Sequence, residues 1–273
     1  MVRREKSKSF SESAVSEVIG YILIFGIMTA GIALVTLYGY PLLLQEQQST
    51  NIRNMERNMI VLQNDLKGLT YKNVPFKETS LQVAGGTLSI QPEPGVGNGL
   101  KSRFIVEVNG SPIATYLPGE IHYDSQDLEA TISLENGAVN LIYWDSPDGS
   151  VMISEPRWFY DEPTKTFVMS FIKMNASDSL SQTGIGSVRM KIIPSIQSPP
   201  IDVSTSTVTI KYKADPELNY KVAWRNYFSG PTLEDVMIKI DPPSAGYDLE
   251  YNLDSTKVKT LVIKTYNVTV LSL

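Results

Sequence analysis

The hydrophobic residues are concentrated in one uninterrupted stretch near the N-terminus. Residues 18–44 comprise 27 positions without a single Asp, Glu, Lys, Arg or His. A helix of this length spans about 40 Å at about 1.5 Å per residue, more than the roughly 30 Å hydrocarbon core of a membrane. The stretch is also about twice as long as the apolar segment of a cleaved secretory signal. It therefore predicts a transmembrane helix, because a buried core helix rarely runs this long without a charge.

A second helical pattern follows this stretch. Six apolar residues recur at alternating spacings of three and four, which is the heptad pattern of one helix face: Ile52, Met55, Met59, Leu62, Leu66 and Leu69. The stripe predicts packing either on the chain's own globular domain or against helices of neighbouring subunits, and the sequence leaves both alternatives open. Between the two patterns, Pro41 predicts a loosened helical turn beside Tyr38 and Tyr40. This turn is expected at the external membrane–water interface.

The rest of the chain, residues 71–273, alternates short apolar runs with turn residues about every ten positions, which is typical of an all-β sandwich or related fold. Asn109-Gly110 and Asn136-Gly137 predict type I′ turns, because both central positions of that turn need positive φ. Gly85-Gly86 predicts another two-residue hairpin. A helix is predicted in this region only for residues 216–228.

Composition narrows the functional classes. The 273 residues have a mean hydropathy of −0.08 and 19% charged residues, values typical of a soluble protein that conceal the uncharged stretch. Cys is absent, which excludes disulfides, thiolate zinc sites and a cysteine nucleophile. His122 is the single histidine, so a multi-histidine metal site is excluded and a His-based catalytic triad is disfavoured. We predict no enzyme activity, no cofactor or metal site and, with a net charge of −5, no nucleic-acid binding.

Small residues and the charge of the N-terminus indicate how the apolar helix is used. Gly26, Ala30 and Ala33 are spaced to share one helix face, where small side chains let two membrane helices approach closely. Residues 1–14 contain four basic and two acidic residues, a net charge of +2, and basic flanks remain in the cytoplasm. The helix is thus predicted to anchor the chain with its N-terminus inside and residues 71–273 outside.

The segment Ala14-Val15-Ser16-Glu17-Val18-Ile19-Gly20, followed at once by the apolar helix, resembles the N-terminus of archaeal type IV pilin-like proteins with a class III signal peptide. The resemblance covers about residues 1–45 and depends on the order of basic leader, small residue, polar residue and long apolar span. It implies that a membrane prepilin peptidase cuts between Ala14 and Val15. It also implies that the retained helix packs subunits into a filament, with Glu17 pairing with the new amino group of an adjacent subunit.

We therefore predict an α+β protein with a long N-terminal transmembrane/stalk helix followed by a mainly antiparallel, sandwich-like β domain. The predicted domains are a cleaved leader (1–14), an assembly helix with a heptad-like stalk (15–70) and an extracellular β-rich head (71–273). The predicted function is a pilin-like subunit of an archaeal cell-surface type IV filament. Its predicted partners are the prepilin peptidase, neighbouring pilin subunits and the lipid membrane. The alternative is a membrane-anchored extracellular binding or adhesion module that forms no filament.

Two further sets of residues are candidate sites on the head. Three N-x-S/T triplets, at Asn109, Asn175 and Asn267, are candidate glycan acceptors on an exported domain. Four aromatic residues form a candidate ligand surface, with core packing of adjacent strands as the alternative: Trp144, Trp158, Phe159 and Tyr160. The acidic segment 124–129 is predicted to be a solvated loop.

Overall fold

The chain divides into two compact units, the first ending at Thr50 and the second beginning at Asn51. The computed structural model describes residues 8–72, 74–92, 101–126, 128–146, 149–178 and 180–273, and for residues 8–15 it gives the backbone alone. Residues 1–7 of the predicted leader lie outside the described residues. The first unit is helical, and the helix that closes it continues into the second unit.

The helical region consists of α1 (Lys8–Leu34), a π-helical turn (Val35–Gly39) and α2 (Tyr40–Tyr71). In the π-helical turn, the backbone N–H of Tyr40 donates to the carbonyl of Val35, five residues earlier. Pro41 has no N–H, and its ring crowds the carbonyl four residues before it, so a wider turn relieves the conflict. The loosened turn predicted at Pro41 is confirmed, and the chain remains helical on both sides of it.

The second unit contains a β domain, which we call the head, and its elements are as follows. In chain order they are β1 (Phe76–Gln91), β2 (Arg103–Val108), β3 (Ser111–Tyr116), β4 (Glu120–Ser125), β5 (Ala130–Glu135), β6 (Ala138–Tyr143), β7 (Val151–Ser154), β8 (Phe159–Asp161), β9 (Thr166–Ala176), β10 (Ser181–Ile193), β11 (Ile201–Asp202), β12 (Val208–Lys213), α3 (Lys221–Phe228), β13 (Met237–Lys239), β14 (Leu249–Leu253) and β15 (Thr260–Ser272).

Two sheets make up the head. The large sheet has the order β7-β6-β5-β4-β1-β10-β15-β9-β8, with β11 also pairing with β15, and the small sheet has the order β13-β14-β12-β2-β3. Among the described strands, β9 and β15 pair in parallel and the other pairs are antiparallel. The coarse prediction of a long apolar helix followed by a mostly antiparallel β domain is therefore confirmed.

The heptad stripe of α2 packs on the apolar face of the large sheet. All six stripe residues are buried, none more than 4% exposed, and they share one hydrophobic core with strands of the large sheet. The facing positions Leu88, Tyr123, Ile132 and Leu141 lie opposite one another across β1, β4, β5 and β6 and belong to that core. Of the two alternatives for the stripe, packing on the chain's own domain is confirmed, and packing of these residues on neighbouring subunits is wrong. Residues 51–70 of the helix accordingly belong to the same compact unit as the head.

A buried amide fixes the position of α2 on the sheet. Gln63 is 1% exposed, and its Nε2 donates to the carbonyls of Gly137 (2.7 Å) and Glu155 (3.0 Å). Its Oε1 accepts from Ser154 Oγ (2.7 Å) and Lys67 Nζ (3.0 Å). Because every polar atom of this buried amide is paired, a shift of the helix along the sheet leaves several of these groups without a partner.

The hairpin predicted at Gly85-Gly86 is wrong. β1 runs through both glycines, pairing with β10 on either side of them and with β4 from Gly86 onward. Gly85 has a φ of +70°, and a Cβ on Gly86 would lie 2.2 Å from the carbonyl oxygen of Asp124. The two glycines therefore allow a bend in β1 and the close approach of β4.

The two Asn-Gly turns are confirmed, because Asn109 (φ 51°) and Asn136 (φ 48°) both precede a glycine of positive φ. The predicted helix at 216–228 is shorter than expected and begins at Lys221. The carboxylate of Asp215 accepts a hydrogen bond from the backbone N–H of Glu217 at 2.8 Å. Such a side-chain turn competes with helical hydrogen bonding over the first predicted residues.

Candidate functional site

The uncharged part of the helix is an exposed apolar surface. Every large apolar side chain from Val18 to Leu43 is 57–73% exposed, although such side chains are normally buried. Among the described residues, one helix is long and apolar enough to cross a membrane, and it contains this surface. The composition and exposure are consistent with membrane anchoring, because lipid or a partner helix must cover a continuous apolar surface of this size.

The predicted processing and assembly residues all lie in α1. Ala14 and Val15 are in the helical backbone, and their side chains lie outside the described residues. Glu17 is exposed and immediately precedes the uncharged surface. Gly26 and Ala30 are exposed at a spacing of four, and a Cβ placed on Gly26 meets no atom within 4 Å. The small-residue face, which Ala33 continues, is therefore open to a partner helix in this chain.

A second candidate site is the polar face of the large sheet, opposite the face that α2 covers. Two rows of side chains cross strands β1, β4, β5 and β6 on this face, since residues directly opposite each other share a face. The first row is Ser89, His122, Ser133 and Asn140, and the second is Gln91, Glu120, Glu135 and Ala138. Glu120, His122, Ser133, Glu135 and Asn140 are all buried.

Glu135 is held by two donors in the interior of the head. The indole Nε1–H of Trp224 in α3 donates to its Oε2 at 3.0 Å, and the hydroxyl of Ser102 donates to its Oε1. Glu120 lies directly across from Glu135 and accepts a hydrogen bond from Ser133. Both carboxyl groups border a small, partly open cavity of about 20 Å³, which is enough for one water molecule.

Lys101 and Asp215 complete this carboxylate cluster. The Lys101 ammonium lies 3.2 Å from a carboxylate oxygen of Asp215, which is 4% exposed, and both residues border the same cavity. The Lys101 ammonium thus pairs with Asp215, and its charge also opposes the rise in the pKa of Glu120. Within the described part of the chain, no group of three or more His, Asp or Glu side chains has the arrangement needed to hold a metal ion.

The pKa values of the buried groups follow from this crowding. Burial raises the pKa of Glu135 to about 8, and the charge of Glu120 adds to the rise against the opposing hydrogen bonds from Ser102 and Trp224. Burial also raises the pKa of Glu120, with His122 opposing it. For His122, burial lowers the pKa, but the hydrogen bond to Asp124 and the charges of Glu120 and Asp124 outweigh it and raise the pKa overall.

Ser89, His122 and Asp124 form a serine–histidine–aspartate set whose geometry differs from that of a catalytic triad. His122 Nε2 lies 3.0 Å from Ser89 Oγ and 3.3 Å from Asp124 Oδ2, so both partners share one ring nitrogen. His122 Nδ1 has no hydrogen-bond partner within the described residues. A triad places the nucleophile on one nitrogen and the carboxylate on the other, so that the carboxylate orients the base. Ser89 and Asp124 can hold the imidazole ring of His122 in one orientation. They do not occupy its two different nitrogens, as the partners in a catalytic triad do.

The solvated loop predicted at residues 124–129 is wrong at its first two residues, which belong to β4, and Ser125 is buried. Asp124 lies in β4, where it contacts His122 and accepts a hydrogen bond from Thr131 at 2.6 Å. Sequence reasoning also missed Glu120 and Glu135 in their strands and Asp215 in the turn after β12, because charged residues are usually solvated. The signal present in the sequence is polar–apolar alternation over 120–124 and 130–135, which places the carboxyl groups on one face.

A family model described as a family of unknown function, DUF7289, matches residues 14–270. The chain belongs to the DUF7289 family. No curated protein and no solved structure matches the chain. The matched range covers both the apolar helix and nearly the whole head.

In this DUF7289 chain the three predicted glycan acceptors occupy different environments. Asn109 is exposed at the β2–β3 turn, and its side-chain oxygen accepts a hydrogen bond from the backbone N–H of Thr207 at 2.9 Å. Asn175 in β9 and Asn267 in β15 are partly buried on neighbouring strands. Glycan occupancy at all three stays a prediction, and the exposed acceptor among them is Asn109.

The four aromatic residues that were predicted to form one ligand surface are separated in the DUF7289 head. Trp158 is 2% exposed, donates to the carbonyl of Ser170 at 2.8 Å and stacks on Phe228, so core packing is correct for it. Phe159 is 40% exposed beside the guanidinium of Arg157, and Tyr160 is partly buried. Trp144 is 52% exposed at another part of the head.

Proposed function

We propose that this DUF7289 protein is a pilin-like subunit of an archaeal cell-surface type IV filament and acts structurally rather than as an enzyme. The observation that carries the proposal is the uncharged, exposed apolar helix of residues 18–44 in a chain whose head has its own hydrophobic core. Such a surface stabilises the chain only when lipid or other helices cover it. The match of the family model to helix and head together supports a role that needs both.

The proposal includes processing and orientation. A prepilin peptidase cuts between Ala14 and Val15, the basic leader remains in the cytoplasm, and the head lies outside. Neighbouring subunits then replace lipid along the small-residue face at Gly26, Ala30 and Ala33, with Glu17 pairing with an adjacent amino terminus. The head is taken to be sandwich-like, which is supported by one hydrophobic core that contains residues of both sheets.

The structure of α2 supports different roles for different parts of the helix, with one part packed on the head and another available to other subunits. Its stripe from Ile52 to Leu69 is occupied by the chain's own sheet, so these residues are unavailable to another subunit. Subunit contacts through the helix must therefore use residues outside this stripe, and residues 18–44 carry its longest exposed apolar surface. Heterologous contacts of this kind, which do not close on themselves, generate a helical filament.

N-terminal sequencing of protein extracted from membranes tests the processing step. The expected mature chain begins at Val15, and the chain begins at Met1 in cells that lack the prepilin peptidase. An Ala14→Leu variant is expected to reduce cleavage, because the enlarged side chain replaces a small residue at the cut. A chain that begins at Met1 in cells with active peptidase contradicts the proposal.

A double substitution tests the assembly step. Gly26→Leu combined with Ala30→Leu is expected to abolish filaments while the protein still inserts into the membrane, because bulky side chains prevent close helix approach. Gly31→Leu is the matched control, since residue 31 lies about 140° around the helix from Gly26 and should retain most assembly. The readout is tagged subunit in the sheared filament fraction and in electron micrographs. Normal filaments from the double variant would refute assembly through this face.

The alternative function is a membrane-anchored extracellular binding or adhesion module that forms no filament. The observation that favours it is the half-exposed Trp144, which sits on the head rather than in its core. The alternative predicts surface display of the Gly26→Leu, Ala30→Leu variant at the wild-type level. The assembly experiment therefore distinguishes the two functions.

A further inference from the structure

A groove of about 530 Å³ opens on the head beside the buried polar rows, and we call it the Trp144 groove. Its walls are formed by residues of the segments 143–146 and 216–219, and its floor includes His122, Asp124 and Thr131. Ligand sites in proteins typically enclose about 300–1,000 Å³ and combine aromatic surface with a few convergent polar groups. The Trp144 groove has both properties.

A chain of hydrogen bonds fixes the aromatic wall to the floor. The indole Nε1–H of Trp144 donates to Thr131 Oγ1 at 2.8 Å, and the Thr131 hydroxyl donates to Asp124 Oδ1 at 2.6 Å. The other oxygen of Asp124 lies 3.3 Å from His122 Nε2. Trp144 is therefore held in place although it is 52% exposed, and the neighbouring Tyr143 is 40% exposed. A fixed aromatic side chain loses little conformational entropy when a ligand binds against it.

The charge of the groove limits the chemistry of its ligand. Its lining carries the carboxylates of Asp124 and Glu217 and, within the described residues, neither Lys nor Arg. An anionic ligand would be repelled by these two carboxylates, and within the described lining His122, when protonated, is the group that opposes them. Both oxygens of Asp124 already have donors on the protein, and each retains a lone pair that can accept a hydrogen bond from a ligand hydroxyl.

We propose that the Trp144 groove binds an uncharged saccharide. A sugar ring has an apolar C–H face that packs on an indole or phenol ring, and its hydroxyls pair with side chains that both donate and accept. Polar side chains of this kind surround the groove, including Gln91, Ser146 and Asn219. His122, which is 7% exposed, also borders it and has an unpartnered Nδ1. The inference does not depend on cleavage or filament assembly, because the groove lies wholly within the head.

The test uses the full chain in lipid nanodiscs, because the headgroups of alkyl-glycoside detergents are themselves saccharides. Tetrasaccharides of glucose, of mannose and of N-acetylglucosamine are titrated, and binding is followed by saturation-transfer NMR and by tryptophan fluorescence. At least one of these neutral probes is expected to bind with a Kd of about 1 mM or below. Tetragalacturonate, which carries carboxylates, is expected to bind at least about tenfold more weakly than the best neutral probe.

Paired variants locate the site. Trp144→Ala is expected to weaken saccharide binding by about tenfold or more, and Trp144→Tyr, which keeps an aromatic face, is expected to lose less. Phe159→Ala is the matched control, because Phe159 is exposed to a similar degree but lies outside the groove. Unchanged thermal unfolding of each variant shows that the head remains folded.

Three results would overturn the saccharide proposal. The first is the absence of binding by all three neutral tetrasaccharides up to about 20 mM. The second is equal binding by wild type and Trp144→Ala, or equal loss in Phe159→Ala. The third is saturable binding of tetramethylammonium that Trp144→Ala removes while no saccharide binds, which would make the groove a cation site.

Discussion

Glu135→Gln is expected to raise the free energy of unfolding of the head at about pH 8 and to leave it nearly unchanged below about pH 4.5. The pKa of Glu135 rises from its ordinary value of 4.5 to about 8 in the folded protein, chiefly because the group is buried. A carboxyl group with a raised pKa binds more protons in the folded than in the unfolded chain. Stability therefore falls as the pH rises between those two values, by up to about 1.4 kcal/mol for each pH unit.

The hydrogen bonds at Glu135 suit a neutral side chain. A glutamine can accept from the Trp224 indole with its oxygen and donate to the Ser102 hydroxyl with its amide, so both contacts persist. Glu135→Gln thus removes a titrating group without leaving a buried donor unpaired. The variant still contains His122, whose raised pKa also makes the free energy of unfolding fall as the pH rises.

Urea denaturation followed by tryptophan fluorescence, at intervals from about pH 4 to about pH 9, measures this difference. Glu234→Gln is the matched control, because Glu234 is exposed and has no contact with the carboxylate cluster. The difference between wild type and Glu135→Gln should widen with pH, whereas the control should follow wild type. A pH-independent difference would show that Glu135 does not titrate in this range.

Leu62→Ala is expected to lower the free energy of unfolding of the head by about 2–5 kcal/mol. Leu62 is 0% exposed in the core between α2 and the large sheet, so truncation removes apolar contacts and leaves a cavity. Val61→Ala changes the adjacent position of the same helix, where the side chain is 47% exposed, and should cost less than about 0.5 kcal/mol.

This pair of variants also separates the two alternatives for the heptad stripe. Packing on the chain's own sheet makes the stability of the dispersed, unassembled protein sensitive to Leu62→Ala, as measured by urea denaturation. Hydrogen exchange should show faster exchange along α2 in that variant and unchanged exchange in Val61→Ala. Equal stability of Leu62→Ala and wild type in the dispersed protein, with a defect only in assembly, would contradict the packing described here.

The N-terminal helical region could be predicted because its patterns are local. An uncharged run at residues 18–44 and a regular stripe from Ile52 to Leu69 both depend on short-range periodicity, and a proline marks the turn between them. The Asn-Gly turns could also be predicted from the sequence, since positive φ at two successive positions restricts the residue types. The hairpin prediction at Gly85-Gly86 was wrong because glycine also permits a bend or the close approach of another strand. Which of these occurs depends on the pairing with β4, which is not visible in the local sequence.

The buried carboxylate cluster could not be predicted in the same way. The alternation over β4 and β5 indicates a sheet with one polar and one apolar face, and in antiparallel sheets the polar face commonly meets water. Here Trp224 of α3 and Lys101, both distant in sequence, approach that face and bury it. Long-range closure of this kind leaves no periodic signal, so Glu120 and Glu135 resemble solvated strand residues in the sequence.

The ends of the two sheets bear on how densely these heads can be crowded. The large sheet ends in the four-residue β7 and the three-residue β8, and the small sheet ends in the three-residue β13 and in β3, which contains Pro112. Short or proline-containing edges offer few free backbone groups to another chain. At high local concentration, neighbouring heads should therefore resist aggregation through pairing of their edge strands.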